Sequence, residues 1–152
     1  MSDNSRSPHR PASTSRSRLR LENPAIRVPL AISLGAISGA LSRYYLTLFC
    51  SQVFGLSWIG TFAINLSGAF GMGFFMKLVS EQVIISADLR FLIAVGCLGS
   101  YTTFSTYELE TVMLLDNHWQ LGLLYWLGTA ILGVLCLELG HYLAGGWLDR
   151  KR

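Results

Sequence analysis

Four apolar segments, each about long enough to cross a membrane as a helix, constrain the fold of this chain more than any other feature. They cover roughly residues 28–49, 58–79, 89–112 and 119–144, and short connections join them. A helix needs about 20 residues to cross the ~30 Å hydrocarbon core of a bilayer. The pattern predicts an all-α integral membrane protein with four transmembrane helices, whose membrane domain covers residues 28–148.

Charged residues are too sparse for a soluble domain. They make up 14% of the 152 residues, whereas soluble domains average about 25%. Most of them lie in the tails or near the ends of the apolar segments. The sequence has no nucleophile–base pair, no paired carboxylates and no metal-ligand spacing of its three cysteines. We therefore predict a membrane protein that is not an enzyme and has no nucleic-acid partner.

Both ends of the chain are basic. Residues 1–27 contain six arginines and many serines but few large apolar side chains. Such a segment cannot bury enough surface to offset the entropy of ordering it, so we predict a disordered tail. Membrane lipid with anionic headgroups is its favoured partner, ahead of a role as an organelle transit peptide. Residues 149–152 form a second, short basic tail.

The lysines and arginines that flank the apolar segments lie on one side only. They occur in the two tails and on either side of the second connection, at Lys77 and Arg90, while the first and third connections have none. Because cytoplasmic loops carry an excess of Lys and Arg, both termini are predicted to lie in the cytoplasm.

Polar side chains inside the membrane are costly, so each one is a functional hypothesis. The amide of Asn65 finds no hydrogen-bond partner in hydrocarbon, and it is interpreted either as an interhelical hydrogen bond or as a donor to an anion. Thr61 lies one turn earlier and shares its face. Arg43 stays charged and needs a partner or water, and Glu108 and Glu110 are the candidate partners.

The third apolar segment contains "GSYTTFSTYELE", residues 99–110, with seven hydroxyl side chains among residues 100–107. Gly99, Thr102 and Thr103 disfavour a regular helix. We predict a helix broken at mid-membrane, with freed carbonyl oxygens that suit a small cation. A bent helix with its hydroxyls bonded to its own turn is the alternative. Phe104 and Tyr107 share a face, either for packing or to present their ring edges to an anion.

Glycines recur at the spacing of helix-packing faces. They occur in the first three segments at Gly35 and Gly39, at Gly68, Gly71 and Gly73, and at Gly96 and Gly99. Since lipid offers no hydrophobic drive for helix association, small residues that let backbones approach closely are predicted to supply the packing.

Together these motifs resemble the Fluc fluoride channels, also called CrcB proteins. The resemblance covers about residues 30–143 and is carried by "GAISGALSRYY", "GTFAINLSGAFGMG" and "GCLGSYTTFSTYELE". A weaker match lies in the fourth segment at Tyr125 and the hydroxyl four residues later. The resemblance implies small four-helix subunits of dual topology that pair antiparallel into a dimer with two fluoride pores.

The resemblance also implies roles for individual residues. The residues that would line the fluoride pore are Thr61, Asn65, Phe104, Ser105, Thr106, Tyr107, Tyr125 and Thr129. Arg43 and Glu110 would lie in the vestibule. The backbone carbonyls of Gly99 and Thr102 would hold a structural sodium ion at the twofold axis of the dimer.

The function that the resemblance implies is passive export of fluoride across the inner cell membrane by a multi-pass channel. Fluoride is small and strongly hydrated, so a narrow pore must replace its water with hydrogen-bond donors. Tyr107 and Thr129 depart from the family's usual phenylalanine and serine. Two rival functions stay open. A small multidrug-type transporter would need a central carboxylate, which the first segment lacks, and a structural membrane subunit would conduct no ion.

The identity of the second subunit is also open. An antiparallel homodimer requires insertion in both orientations, and such proteins are expected to show little bias in Lys and Arg. The one-sided bias here is in tension with that requirement. A homodimer is favoured, and a pair with an oppositely biased homologue is the alternative.

Overall fold

Five helices make up the regular structure of residues 23–81 and 85–150, which are the residues that the computed structural model describes. The helices are α1 (Pro24–Phe54), α2 (Ser57–Ser80), α3 (residues 87–101), α4 (Phe104–Asn117) and α5 (Trp119–Asp149). The predicted all-α class is confirmed for this part of the chain. Most of the predicted N-terminal tail and the last two residues lie outside it.

Local signals define the ends of α1. The side chain of Asn23 accepts a hydrogen bond from the Ala25 backbone N–H at 3.0 Å, and Pro24 occupies the first turn, where its missing N–H costs nothing. Gly55 ends the helix with a left-handed φ of 68°, and its N–H donates to the Ser51 carbonyl. The helix thus begins four residues before the predicted start at 28, so residues 24–27 are helical.

Of the five helices in the described residues, three are long and apolar enough to cross a membrane. They are α1, α2 and α5, with mean hydropathies of 1.5, 1.4 and 1.8 over their most apolar 18 residues. The predicted third segment is divided between α3 and α4. Within α3, Phe91–Leu98 is wound as a wider π-helix, a feature that often marks functional sites.

α1 packs closely against the parallel α3 through glycines of both helices. A Cβ atom at Gly35 would overlap the carbonyl oxygen of Leu92, and one at Gly39 would overlap that of Cys97. On the other side of the contact, a Cβ at Gly96 would lie 2.9 Å from the Gly35 Cα. The predicted packing role is confirmed for these glycines, because only glycine allows backbones to come this near.

α2 packs along α5 in the same way, and the two helices run parallel. A Cβ at Gly73 would overlap the Leu137 carbonyl oxygen, and one at Gly140 would overlap that of Phe70. Toward the C-terminal ends of both helices, a Cβ at Gly145 would lie 3.3 Å from the Lys77 side chain. α3 and α4 together therefore lead from the end of the bundle where α2 finishes to the end where α5 begins.

Cationic side chains lie at the end of the bundle where α1 begins and α2 ends. Arg27 of α1 forms an ion pair with Asp88 at the start of α3. Lys77, near the end of α2, pairs with Glu81 at 2.8 Å. The geometry agrees with the one-sided distribution of flanking cations in the sequence.

Candidate functional site

The third segment is broken between α3 and α4, as predicted. Thr102 and Thr103 are extended, with φ/ψ of −73°/155° and −145°/124°. Gly99 itself is helical (φ −65°, ψ −30°), and the break falls at Thr102 and Thr103, two of the three residues predicted to disfavour a helix. Thr103 caps α4, because its hydroxyl accepts a hydrogen bond from the Thr106 N–H at 3.3 Å.

Asn65 of α2 satisfies both backbone groups of Thr103. Its Nδ2 donates to the Thr103 carbonyl at 3.0 Å, and its Oδ1 accepts from the Thr103 N–H at 2.9 Å. Buried backbone groups need such partners, and the break deprives Thr103 of helical ones. The interhelical interpretation of Asn65 is confirmed. An amide nitrogen carries two hydrogens, and this pair uses one of them, so a donor remains for a second acceptor.

The break also releases two carbonyl oxygens. In a continuous helix, the N–H groups of Thr103 and Thr106 would donate to the carbonyls of Gly99 and Thr102. Here these N–H groups donate to side chains, of Asn65 and Thr103 respectively. Neutral carbonyl oxygens are hard ligands that suit a small cation such as sodium. No cluster of His, Cys, Asp and Glu that could hold a metal occurs among the described residues, so a cation would depend on such oxygens.

A groove of about 430 Å³ lies beside the break and brings together four of the predicted pore residues, Asn65, Phe104, Tyr107 and Thr129. The rings of Phe104 and Tyr107 are 6.0 Å apart between centroids, tilted by 52°. Phe104 is 74% exposed, whereas Tyr107 is buried. The groove therefore places the exposed ring of Phe104 and the buried ring of Tyr107 next to the amide of Asn65.

A second cavity of about 190 Å³, here called the arginine pocket, lies against the break between α1 and α2. Its lining residues are Ala40, Arg43, Tyr44, Thr47, Thr61, Thr103 and Thr106. The hydroxyl of Thr61 is fully buried and has no hydrogen-bond partner within residues 23–81 and 85–150. A buried polar group without a partner costs about 1–3 kcal/mol, so this hydroxyl favours an occupant that accepts a hydrogen bond.

Three predicted pore hydroxyls are already engaged inside the protomer. Tyr107 donates to the Trp126 carbonyl of α5, Tyr125 donates to Glu110 at 3.0 Å, and Thr129 donates to the Tyr125 carbonyl at 2.6 Å. The hydrogen bonds of Tyr107 and Tyr125 join α4 to α5, and that of Thr129 lies within α5.

Glu108 and Glu110 of α4 bond to α5 rather than to Arg43. Glu110 is 8% exposed and accepts from the Tyr125 hydroxyl, and Glu108 accepts from the indole N–H of Trp126 at 3.3 Å. The sequence could not separate these partners, because all of them lie on other helices, Trp126 and Tyr125 on α5 and Arg43 on α1. Arg43 lines the arginine pocket instead, and the vestibule role of Arg43 and Glu110 stays a prediction.

Thr103 is the site residue that sequence reasoning missed as an individual contributor. It lines both cavities, binds Asn65 through its backbone and caps α4. Thr103 stands immediately before the helical stretch that begins at Phe104, and a threonine in that place is an N-cap signal that could have identified it. Ser105 is exposed at the start of α4, with its hydroxyl 3.5 Å from that of Thr103.

Comparison with known proteins gives a consistent result over the residues that form both cavities. Residues 30–141 match the model of a family described as CrcB-like protein, Camphor Resistance (CrcB). A protein of Synechococcus sp. named fluoride-specific ion channel FluC is 53% identical over 127 residues, which are 82% of this chain and 98% of that protein. Proteins with the same name are 53% identical in Trichormus variabilis, over 79% of this chain and 90% of that one, and 48% identical in Synechocystis sp., over 79% and 94%.

Proposed function

The chain belongs to the CrcB-like family, and from that membership we propose that it is a fluoride channel that exports fluoride passively across the inner cell membrane. Its relatives are named ion channels, so the protein is not an enzyme. The observation that carries the proposal is the broken segment, which brings Asn65, Phe104 and Tyr107 into one groove. Fluoride is the ion named in the relatives, and its chemistry fits the donors in this region.

The donors that remain free define the path by which fluoride would lose its water. In the arginine pocket they are the Arg43 guanidinium and the hydroxyls of Thr61 and Thr106, since Thr106 accepts from Thr103 and keeps its own hydrogen. In the groove they are the second amide hydrogen of Asn65 and the positive ring edges of Phe104 and Tyr107. Donors in a narrow, dry path compensate a strong acceptor such as fluoride better than the larger chloride.

The arginine pocket would collect the anion and the groove would pass it on. A positive side chain facing a small cavity raises the local concentration of anions. Thr103 lies between the two cavities and lines both of them, so the break itself would form the constriction. The hydroxyl protons of Tyr107, Tyr125 and Thr129 are already donated within the protomer. These side chains would therefore limit the width of the path by their steric bulk and would not donate to the ion.

A second subunit would complete the site. One protomer offers the carbonyls of Gly99 and Thr102, and a small hard cation takes more oxygen ligands than two. The ring of Phe104 is 74% exposed on one protomer, so a second subunit has a free aromatic surface to pack against. An antiparallel dimer of four-span subunits would supply matching carbonyls for a sodium ion and would cover the ring. A homodimer is the favoured assembly, and a paired homologue is its alternative.

Ion release from liposomes tests the proposed channel. Purified protein in vesicles loaded with fluoride or chloride should release fluoride rapidly without a driving gradient other than that of the ion, and should retain chloride. Protein-free vesicles are the control. Equal release of both anions would contradict fluoride selectivity, release that depends on an imposed proton gradient would indicate a transporter, and no release would indicate a structural subunit.

The departure at Tyr107 leads to a separate prediction. Since its hydroxyl donates to the Trp126 carbonyl, Tyr107→Phe should lower the free energy of unfolding by about 1 kcal/mol and leave fluoride efflux unchanged. Thermal unfolding and vesicle efflux measure the two effects. Tyr142→Phe, at a ring that is 77% exposed, is the matched control and should change neither. A strong change in efflux for Tyr107→Phe would place its hydroxyl in the ion path instead.

A further inference from the structure

We propose that Asn65 has a second role, as the residue that keeps the cation site open. By binding the Thr103 N–H, its side chain prevents that group from closing onto the Gly99 carbonyl, which then stays free for a sodium ion. This inference rests on the sodium site proposed above. It makes Asn65 a positioning residue for the cation, since it acts through the backbone of Thr103 and touches no ligand atom of the site.

The hydrogen bonds along the end of α3 show at which residue a side-chain acceptor replaces a helical one. The Thr102 N–H still donates to the Leu98 carbonyl at 3.1 Å, four residues back, as in a regular helix. The very next bond in that series would join the Thr103 N–H to the Gly99 carbonyl. That N–H donates instead to Asn65 Oδ1 at 2.9 Å. One side-chain acceptor thus replaces one helical acceptor, and the displaced carbonyl, that of Gly99, is one of the two assigned to sodium.

The amide of Asn65 is fixed in the orientation that this role needs. Its Nδ2 donates to the Thr103 carbonyl at 3.0 Å while its Oδ1 accepts from the N–H of the same residue. A rotation of the amide by half a turn would place two donors face to face and two acceptors face to face. The backbone of Thr103 therefore selects a single orientation, with the oxygen toward its N–H.

Close approach of α2 to the break makes this contact possible. Gly68 lies three residues after Asn65, on the same side of α2, and a Cβ there would overlap the methyl group of Thr102. It would also lie 3.2 Å from the ring of Tyr101. Around Gly99, in contrast, a Cβ would meet only the Ala94 carbonyl, at 3.6 Å. The α2 side of the break is filled, while the surroundings of Gly99 leave room for a second subunit and its ligands.

Sodium-dependent stability tests the inference without a measurement of flux. Thermal unfolding of the purified dimer is followed against sodium concentration, with potassium replacing sodium at constant ionic strength, because a ligand that binds the folded state raises its stability with concentration. For Asn65→Ala, the half-saturating sodium concentration should rise by about tenfold, the factor expected when a carbonyl must first give up a hydrogen bond. Asn65→Leu keeps the bulk of the side chain without the acceptor and should show the same rise.

Ser67→Ala is the matched control. Ser67 also joins α2 to α3, through a hydrogen bond of 2.9 Å to the Tyr101 hydroxyl, but it does not touch the backbone of the break. Its half-saturating sodium concentration should equal that of the wild type even if its unfolding temperature falls. Equal values for the wild type and both Asn65 variants would overturn the role of Asn65. A wild-type protein that conducts fluoride without sodium-dependent stability would overturn the sodium site and this inference, and would leave the proposed channel in place.

Discussion

Phe104→Ala should reduce fluoride efflux by more than about tenfold and leave the protein folded. The ring is the exposed aromatic surface of the groove, next to the amide of Asn65, and its positive edge is one of few donors there. Truncation to alanine removes this donor and widens the path for water. The cost to the fold of each protomer is small, because within the protomer the ring is 74% exposed and its main aromatic contact is Tyr107, 6.0 Å away.

Efflux from vesicles and thermal unfolding together measure this separation of activity from stability. Leu109→Ala is the control, since Leu109 is an exposed apolar side chain of the same helix, α4, outside the groove. It should lower neither efflux nor stability by much. Wild-type efflux in Phe104→Ala would show that fluoride takes a route that avoids the groove, and would leave the arginine pocket as the only supported part of the path.

Gly140→Ala should destabilise the protein by about 3 kcal/mol, the upper range for atoms forced into a packed core. A Cβ at this position would overlap the Phe70 carbonyl oxygen and lie 3.0 Å from the backbone nitrogen of Phe74. Backbone cannot move aside as a flexible side chain can, so α2 and α5 would have to separate. That separation would also shift Asn65, which reaches the break from α2.

The matched control for this change is on the same helix. A Cβ at Gly128 would meet nothing within 4 Å, so Gly128→Ala should be neutral or stabilising by up to about 1 kcal/mol through its better helix propensity. The yield of monodisperse protein and its unfolding temperature measure both variants. Equal unfolding temperatures for the two would mean that α2 and α5 are not in the close contact described here.

The sequence predicts the helices and the existence of the break because both depend on local chemistry. Apolar length defines the long helices, and the run of hydroxyls after Gly99 defines the region where a helix fails. The position of the failure depends on a tertiary contact. Asn65 provides the partners for the backbone groups of Thr103 that let this residue leave the helix, and the third segment alone does not show that Asn65 binds Thr103.

Partners of the polar side chains were harder to predict for a related reason. Charge alone suggested Arg43 for Glu108 and Glu110, but the structure pairs these acids with Trp126 and Tyr125. The neighbours of Glu108 and Glu110 are side chains of α5, because α4 packs against the first part of that helix. The same packing directs the hydroxyl of Tyr107 into the backbone of α5, a contact that spacing along α4 cannot show.

The parallel course of α2 and α5 also decides how the chain is threaded. Because α2 and α5 are parallel, the chain must run back along the bundle once between the end of α2 and the start of α5. That passage is the broken segment, which runs along the bundle as two helices of about 15 residues, each shorter than the ~20 residues that a single helix needs to cross a membrane. Omitting it would reverse the direction of α5 and move Arg150 to the face opposite Lys77. The end of the bundle at which α5 finishes therefore depends on the broken segment.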